Sequence, residues 1–362
     1  MNSSVTAIDY SSILISDHAP LFLDIQLSTQ RSTPPLWRFN SLLLADNKFC
    51  EFLSTSIDEF LLFNQNELTS SSLLWESLKA FLRGQIISYS SHYNKKHKTK
   101  LTELTSAIGI LDQECASNPS PELFKKRLNL KTEFDLISTK EVERLLLQTR
   151  GTYYEHGDKA NRLLAHQLKR QSASRLIPKI NNNVNVIVTD PVEINATFKS
   201  FYTSLYKSEF PDDIDIMNQF LDNLENPTID SDHVQELDAP LSLEEIKFSI
   251  KAMQSNKAPG PDGYPIEFFK KFVNKLAPLL LSVFNESLGN GLLPTTMTQA
   301  SIALLLKSDK DPTLCGSYRP LSLLNADIKV LAKTIALRLE RVLPSIISEE
   351  QNCFINGRHL FF

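Results

Sequence analysis

Cysteine is scarce in this chain. Cys50, Cys115, Cys315 and Cys353 are spread across 362 residues, a usage that fits a reducing interior with buried free thiols. Cys353 and His359 have no CxxC or HxxxH companions, which argues against a zinc site. Long apolar runs are also missing: none approaches the ~20 residues that a membrane-spanning helix needs. The opening MNSSVTAIDY has neither a basic n-region nor an apolar h-region, so no secretory signal is visible. No repeat or low-complexity tract appears.

What is present describes an ordinary soluble protein rather than a disordered one, with 42% hydrophobic and 22% charged residues. The length suggests two or three domains and ample chain to bury a core. The net charge of -4 conceals a strong asymmetry. Between Pro121 and Ile180 there are thirteen Lys/Arg against seven Asp/Glu, whereas Ser208 to Glu245 holds twelve Asp/Glu and no cation. A basic stretch followed by an acidic one can hide a phosphate-binding surface, although solvated helix faces produce the same pattern.

The periodicity predicts an α+β protein, predominantly helical. Residues 21–27, LFLDIQL, alternate as a strand with Leu21, Leu23, Ile25 and Leu27 on one face. Two strands joined by a polar turn have no core of their own. From about Asp46 to Arg150 the chain reads helical, with Phe49, Phe52, Leu53, Ile57, Phe60 and Leu61 as one apolar stripe. Leu73, Leu74, Leu78, Phe81, Leu82 and Ile86 form the next. Lys95, Lys96, Lys98 and Lys100 either end that helix or continue as its basic face. Asn118-Pro119-Ser120-Pro121 breaks it, and two long antiparallel helices are expected to bury their stripes on each other.

Further on, residues 183–188 suggest one short strand, Asp190-Pro191 starts a helix, and the acidic stretch reads as a linker with one short helix. Ser242 and Glu245 have the spacing of a capping box. After a Pro/Gly loop and two helices come a strand over Ser301–Leu306, a turn at 307–320 and a helix from about Asn325 to Leu343.

The octamer Asn256-Lys257-Ala258-Pro259-Gly260-Pro261-Asp262-Gly263 is the most specific segment. Its prolines fix φ and its glycines permit close approach of another backbone, beside a lysine placed to meet a phosphate. Alone it would be read as a tight helix-to-helix turn. Downstream come Gly291-Leu292-Leu293-Pro294, Ala300 to Lys307, Lys310-Asp311-Pro312, Tyr318-Arg319-Pro320-Leu321-Ser322-Leu323-Leu324-Asn325, Leu337-Arg338-Leu339, Gln351-Asn352-Cys353-Phe354 and Gly357-Arg358-His359. In this order and spacing the set closely resembles the fingers subdomain of reverse transcriptases from LINE-type, non-LTR retrotransposons, over roughly residues 240–362.

That resemblance implies roles. Arg319 matches the fingers arginine that contacts the incoming nucleotide's triphosphate, a task suited to a planar, permanently charged fork. Lys307 matches the lysine that neutralises the same triphosphate, although Leu306, Ser308 and Asp309 replace the family's Pro-Lys-Pro-Gly-like surroundings. Lys257, Gly260 and Gly263 match the element near the template backbone. In the structural alternative Arg319 caps a turn and both lysines are solvated. The ordered motifs favour function for Arg319, less strongly for Lys307, and leave Lys257 evenly balanced.

The family's catalytic carboxylates, on a Phe-x-Asp motif and a Tyr-Ala-Asp-Asp hairpin, hold two metal ions. In the family both lie C-terminal to every segment quoted above and neither follows those segments here, while the lone Asp212-Asp213 pair, well before Arg319, reads as a solvated acidic turn. The chain by itself is therefore expected to hold no metal and to lack polymerase activity, with Mg²⁺ expected for the intact family.

Ser16-Asp17-His18-Ala19-Pro20-Leu21 resembles the final motif of the exonuclease–endonuclease–phosphatase fold. There His18 would act on the scissile phosphate and Asp17 would hold its tautomer. The implied layout is an endonuclease remnant over 1–30, a helical basic connector over 31–180 and a strand, helix and acidic linker over 181–238. The fingers and early palm follow over 239–362. Tyr153, Tyr154, Arg162, Lys169 and Arg170 in the connector are candidates for nucleic-acid contact.

RNA and DNA are the implied partners, with no membrane, and the site of action nuclear or cytoplasmic. The expected identity is a truncated retrotransposon reverse transcriptase. The alternatives are a non-enzymatic RNA-binding remnant and an inactive pseudogene product.

Overall fold

Helix boundaries in this protein are set by side chains that satisfy the first free N–H groups. The computed structural model describes residues 4–10, 21–26, 36–66, 68–148, 176–182, 184–208, 214–223 and 228–348. Asp46 accepts from Lys48 N at 3.0 Å and starts α1, Asn47–Asn64. Asp190 accepts from Val192 N and Glu193 N, with Pro191 in the first turn, and starts α4, Pro191–Leu205. Ser242 and Glu245 make the reciprocal bonds of the expected capping box at α7, Leu243–Ala252.

The remaining helices are α2 (Ser71–Ser117), α3 (Pro121–Gln148), α5 (Ile214–Asp222), α6 (Ser231–Asp238), α8 (Ile266–Lys271), α9 (Val273–Asn290) and α10 (Ala326–Ile346). The strands form three antiparallel pairs: β1 (Ser4–Tyr10) with β2 (Leu21–Gln26), β3 (Ile180–Asn181) with β4 (Ile187–Val188), and β5 (Ala300–Leu306) with β6 (Tyr318–Leu324). The protein is predominantly helical with small antiparallel sheets, as the periodicity implies.

Packing divides the chain into two units, Met1–Pro35 with Gly84–Leu176, and Leu36–Arg83 with Ile177–Phe362. In the first, β1 and β2 form a ribbon in which Leu21, Phe22 and Leu23 are all exposed. The alternating face expected at Leu21 and Leu23 is thus uncovered by any described residue, because two strands bury little by themselves. The two long helices pack on each other as expected, but through residues beyond the stripe of Leu73 to Ile86. Leu104, Ile108 and Phe134 are buried against one another, with Leu101, Leu130 and Ile137 around them. Arg127 of α3 pairs with Asp112 of α2, and Lys100 with Glu133 at 3.1 Å. The lysine run does not end α2, which continues through it for 47 residues in all.

In the second unit, Leu36–Arg83 packs within the same core as the downstream helices. Aromatic contacts hold it: Phe39 lies 6.1 Å from Phe49 and 5.6 Å from Phe268, and Trp75 lies 6.1 Å from Phe269. Leu53, Ile57, Leu78, Ile246, Ile250, Leu276, Leu280, Phe284 and Val330 are completely enclosed. A smaller core joins the β3–β4 and β5–β6 hairpins to α4 through Ile180, Ile194, Phe198, Cys315 and Tyr318.

Three local expectations change. The single strand over 183–188 is a hairpin, turned at Asn182, whose side chain accepts from Val184 N and Val186 N. The turn at 307–320 gives way to β6 at Tyr318, because Arg319-Pro320-Leu321 pairs with Leu305-Leu304-Ala303. The acidic stretch carries two helices rather than one, since Asp230 caps α6 through His233 N at 2.8 Å.

Arg338 of α10 joins α6 to α7: it grips Glu245 at 2.6 and 2.9 Å and donates to the carbonyls of Leu237, Ala239 and Pro240. The guanidinium holds the Glu245 carboxyl down at about 2. Of the cysteines, Cys315 is buried, with its thiol pushed up by burial, while Cys50 and Cys115 are half-buried; Cys353 lies outside the described residues.

Ile108→Ala empties a fully enclosed site in the helical hairpin and is expected to remove about 2–4 kcal/mol of local stability. Amide exchange across α2 and α3 reads this, and protection equal to the unaltered chain would refute the packing described.

Candidate nucleic-acid and nucleotide interface

The interface is built on a buried polar knot in the Leu36–Arg83 and Ile177–Phe362 unit. Lys79 sits on the apolar side of α2, one turn beyond Trp75. Its ammonium donates to Asp327 Oδ2 at 2.7 Å and Thr296 Oγ1 at 2.7 Å, with Asp262 Oδ2 at 3.5 Å. The Trp75 indole N–H reaches the same Asp327 oxygen at 3.0 Å, and Ile328 N–H donates to the other oxygen at 2.8 Å. Asn325 Oδ1 accepts from Asp262 N at 3.0 Å while its amide donates to Thr296 O at 2.7 Å. Tyr264 N–H closes on Asp262 Oδ1 at 3.0 Å, and its hydroxyl donates to Lys79 O at 2.6 Å.

Charges taken from water persist only when paired and hydrogen-bonded on every side, and here one lysine faces two carboxylates. Burial first, and then the neighbouring Asp327 charge, push the Asp262 carboxyl up to about 6, against the pull of Lys79 and the Tyr264 N–H. Burial lowers Lys329, while Asp262 pulls it the other way.

This knot fastens the Pro/Gly loop to the start of α10. Gly260 lies so close that an added Cβ would stand 2.2 Å from Asn325 Oδ1 and 2.6 Å from Leu324 C. Gly263, at φ 81°, would put a Cβ 2.4 Å from Trp37 O. Both glycines are thus taken up by close approach within the protein. Lys257, on the same loop, is exposed and has no partner among the described residues.

The β5–β6 hairpin ends at the same junction, Leu324–Asn325. Leu305 is opposite Arg319, and Lys307 N–H bonds to Ser317 O at 2.9 Å. With a side-chain period of two, Arg319 and Lys307 fall on one face. Arg319 is exposed and makes no hydrogen bond or ion pair among the described residues. Lys307 donates one bond to Gly316 O at 2.8 Å, which leaves two of its three donors. Arg319 therefore does not cap a turn.

Asp17, His18, Arg162, Lys169, Arg170, Tyr153, Tyr154, Asp212, Asp213 and His359 lie outside the described residues. Among those described, no group of histidine, cysteine or acidic side chains could hold a metal ion. The close carboxylates Asp262 and Asp327 are turned onto Lys79, so the donor set does not fit a metal pair. No described helix is long and apolar enough to cross a membrane.

Sequence reading missed Trp75, Lys79, Asp262 and Asp327 as a group. One signal was available: a lysine inside the stripe of Trp75, Leu78 and Leu82, where an apolar residue belongs.

No protein-family model matches the chain. It is similar to the uncharacterized 149 kDa protein of transposon TX1 from Xenopus laevis, 26% identical over 346 residues, 96% of this chain and 26% of that protein. It is also 35% identical over 106 residues to the RNA-directed DNA polymerase from mobile element jockey of Drosophila funebris, covering 29% of this chain and 11% of that protein. A similarity of 29% over 120 residues links it to the Pol polyprotein of the type-1 retrotransposable element R1 of Bradysia coprophila, covering 33% of this chain and 12% of that protein. The relatives matched are all proteins of LINE-type, non-LTR retrotransposons, and it is to these that the chain is similar. It spans about a quarter of the length of the TX1 protein, and less of the others.

Lys79→Met leaves the Asp327 carboxylate buried without its ammonium and is expected to cost about 3–5 kcal/mol; an unchanged denaturant midpoint would contradict the knot. The Asp262 carboxyl, at about 6 when folded against a usual 3.8, keeps its proton to higher pH in the folded chain than in the unfolded one. Its contribution is complete below about pH 4 and is lost as pH rises through about 6. Asp262→Asn removes that dependence, so the melting-temperature difference between variant and parent should change across this window. A constant difference would show that the carboxyl is not held up.

Proposed function

We propose that this chain is the part of a retrotransposon RNA-directed DNA polymerase that grips the incoming nucleotide's triphosphate and the template, within a larger protein that carries out target-primed reverse transcription. The observation that carries the reading is Arg319, a guanidinium without a partner among the described residues, on the same hairpin face as Lys307. A guanidinium fork can take two phosphate oxygens at once, and a neighbouring ammonium adds a point charge to the same anion. Lys257, exposed on a loop that the knot makes rigid, is in place for a template phosphate. Joining nucleotides is the work of carboxylate-held Mg²⁺ in the larger protein, and the residues of this chain bind and orient.

The layout proposed with this function is an endonuclease-derived segment over 1–30, a connector over 31–180, a linker over 181–238 and fingers with early palm over 239–362. Asp17 and His18 are assigned to the endonuclease-derived segment, and Arg162, Lys169 and Arg170 to RNA contact. The site of action proposed is nuclear or cytoplasmic. A second reading, RNA binding without catalysis, is favoured by Lys95, Lys96 and Lys98 of α2 and Lys125 and Lys126 of α3, all exposed.

Arg319→Ala should weaken deoxynucleoside triphosphate binding to the complex of this chain with an RNA template and DNA primer by about ten-fold or more, the effect of losing charge-assisted bonds. Lys307→Ala should have the smaller effect, given its tether to Gly316. Titration with a fluorescent nucleotide measures both. Equal affinity for Arg319→Ala and the parent would remove the nucleotide-gripping role.

A further inference from the structure

Arg83 lies one helical turn beyond Lys79 on α2, so the knot that fixes Lys79 also fixes where Arg83 points. Its guanidinium carbon stands 5.2 Å from the centre of the Trp37 ring. Trp37 is itself held fast. Gly263 admits no Cβ against it, the ring centroid of Tyr264 is 5.1 Å away in an edge arrangement, and the next but one residue, Phe39, donates its N–H to Gly263 O at 3.0 Å. A stacked guanidinium uses its flat face on the ring and keeps its N–H edges for other acceptors.

Those edges are unused. Arg83 is exposed and has no hydrogen bond or ion pair among the described residues. The nearby acid, Asp262, is turned onto Lys79 and the Tyr264 N–H instead. An exposed arginine held by an aromatic ring, against a rigid loop and with no carboxylate to neutralise it, is prepared for an anion. Ordering that long side chain on Trp37 removes much of the entropy that phosphate binding would otherwise cost.

We infer that Arg83, held over the Trp37 ring, is a phosphodiester-binding residue, which extends the nucleic-acid surface of the Pro/Gly loop onto α2 and the segment around Trp37. The inference rests on the nucleic-acid-binding half of the proposed function and adds a contact that lies well before the reverse-transcriptase motifs.

The test uses the full chain and an RNA strand annealed to a DNA primer. Arg83→Met keeps apolar cover over Trp37 and removes the charge. Arg341→Met removes an equal charge from an exposed arginine of the same unit that already pairs with Glu236. Arg83→Met should keep a melting temperature close to the parent's and bind several-fold more weakly at 0.1 M salt. Its plot of log affinity against log salt should flatten by about 0.7–0.9, the share of one phosphate contact. Arg341→Met should bind as the parent does.

Unchanged affinity and slope for Arg83→Met, or an equal loss for Arg341→Met, overturns the inference alone. A fall in melting temperature without any change in binding makes Arg83 a packing residue and also overturns it. Failure of the unaltered chain to bind the duplex removes the proposed function together with this inference.

Discussion

One buried ammonium organises the larger unit. Lys79 reaches across from α2 to oxygens on three segments distant in sequence: Asp262 of the Pro/Gly loop, Thr296 before β5 and Asp327 at the start of α10. Asp327 is fully buried and the Asp262 side chain nearly so, so these segments depend on the lysine to compensate their charge. Trp75, Asn325 and Tyr264 then close the knot from the sides. The carboxylates differ in standing. Asp327 takes the short bond from the ammonium and two further N–H donors, while Asp262 is the more weakly compensated, its carboxyl pushed up by burial.

Rigidity at this point explains how the candidate interface is presented. The loop is tied to Asn325 by the Asp262 N–H bond to its Oδ1, with Gly260 packed against the same backbone. The β5–β6 hairpin runs directly into Asn325, so its far end, with Lys307 and Arg319, is carried on a fixed base. An exposed loop and a two-stranded hairpin are poor scaffolds by themselves. Anchored at one end to a satisfied polar core, and on the side to Phe198 through Tyr318 at 5.3 Å, they become usable ones. The ordered motifs of the sequence meet at this same surface.

The helical hairpin of the other unit follows a simpler rule. Its stripes of Leu104, Ile108 and Phe134 bury on each other, and its lysines stay in water. Nothing there requires a polar group to be buried, and the sequence predicted two helices broken near Pro119 that pack on each other, though not the residues that do so. The α7 capping box and the Asp190-Pro191 start were equally readable, because each depends on residues three or four positions apart.

Local chemistry, then, was written in the order of residues: helix stripes, caps, the Pro/Gly loop, and the motif set around Arg319. Tertiary structure decided what those residues spend their polar groups on. Gly260 and Gly263 turned out to serve close packing, and Lys307 to hold the Gly316 carbonyl. Arg319 keeps its donors free of every described residue, and β6 began where a turn was expected because its partner strand lay ready. The deepest example is Lys79, which reads in sequence as one more cation on a helix. Its two carboxylates lie 183 and 248 positions away, and only folding brings such distances within the reach of a hydrogen bond.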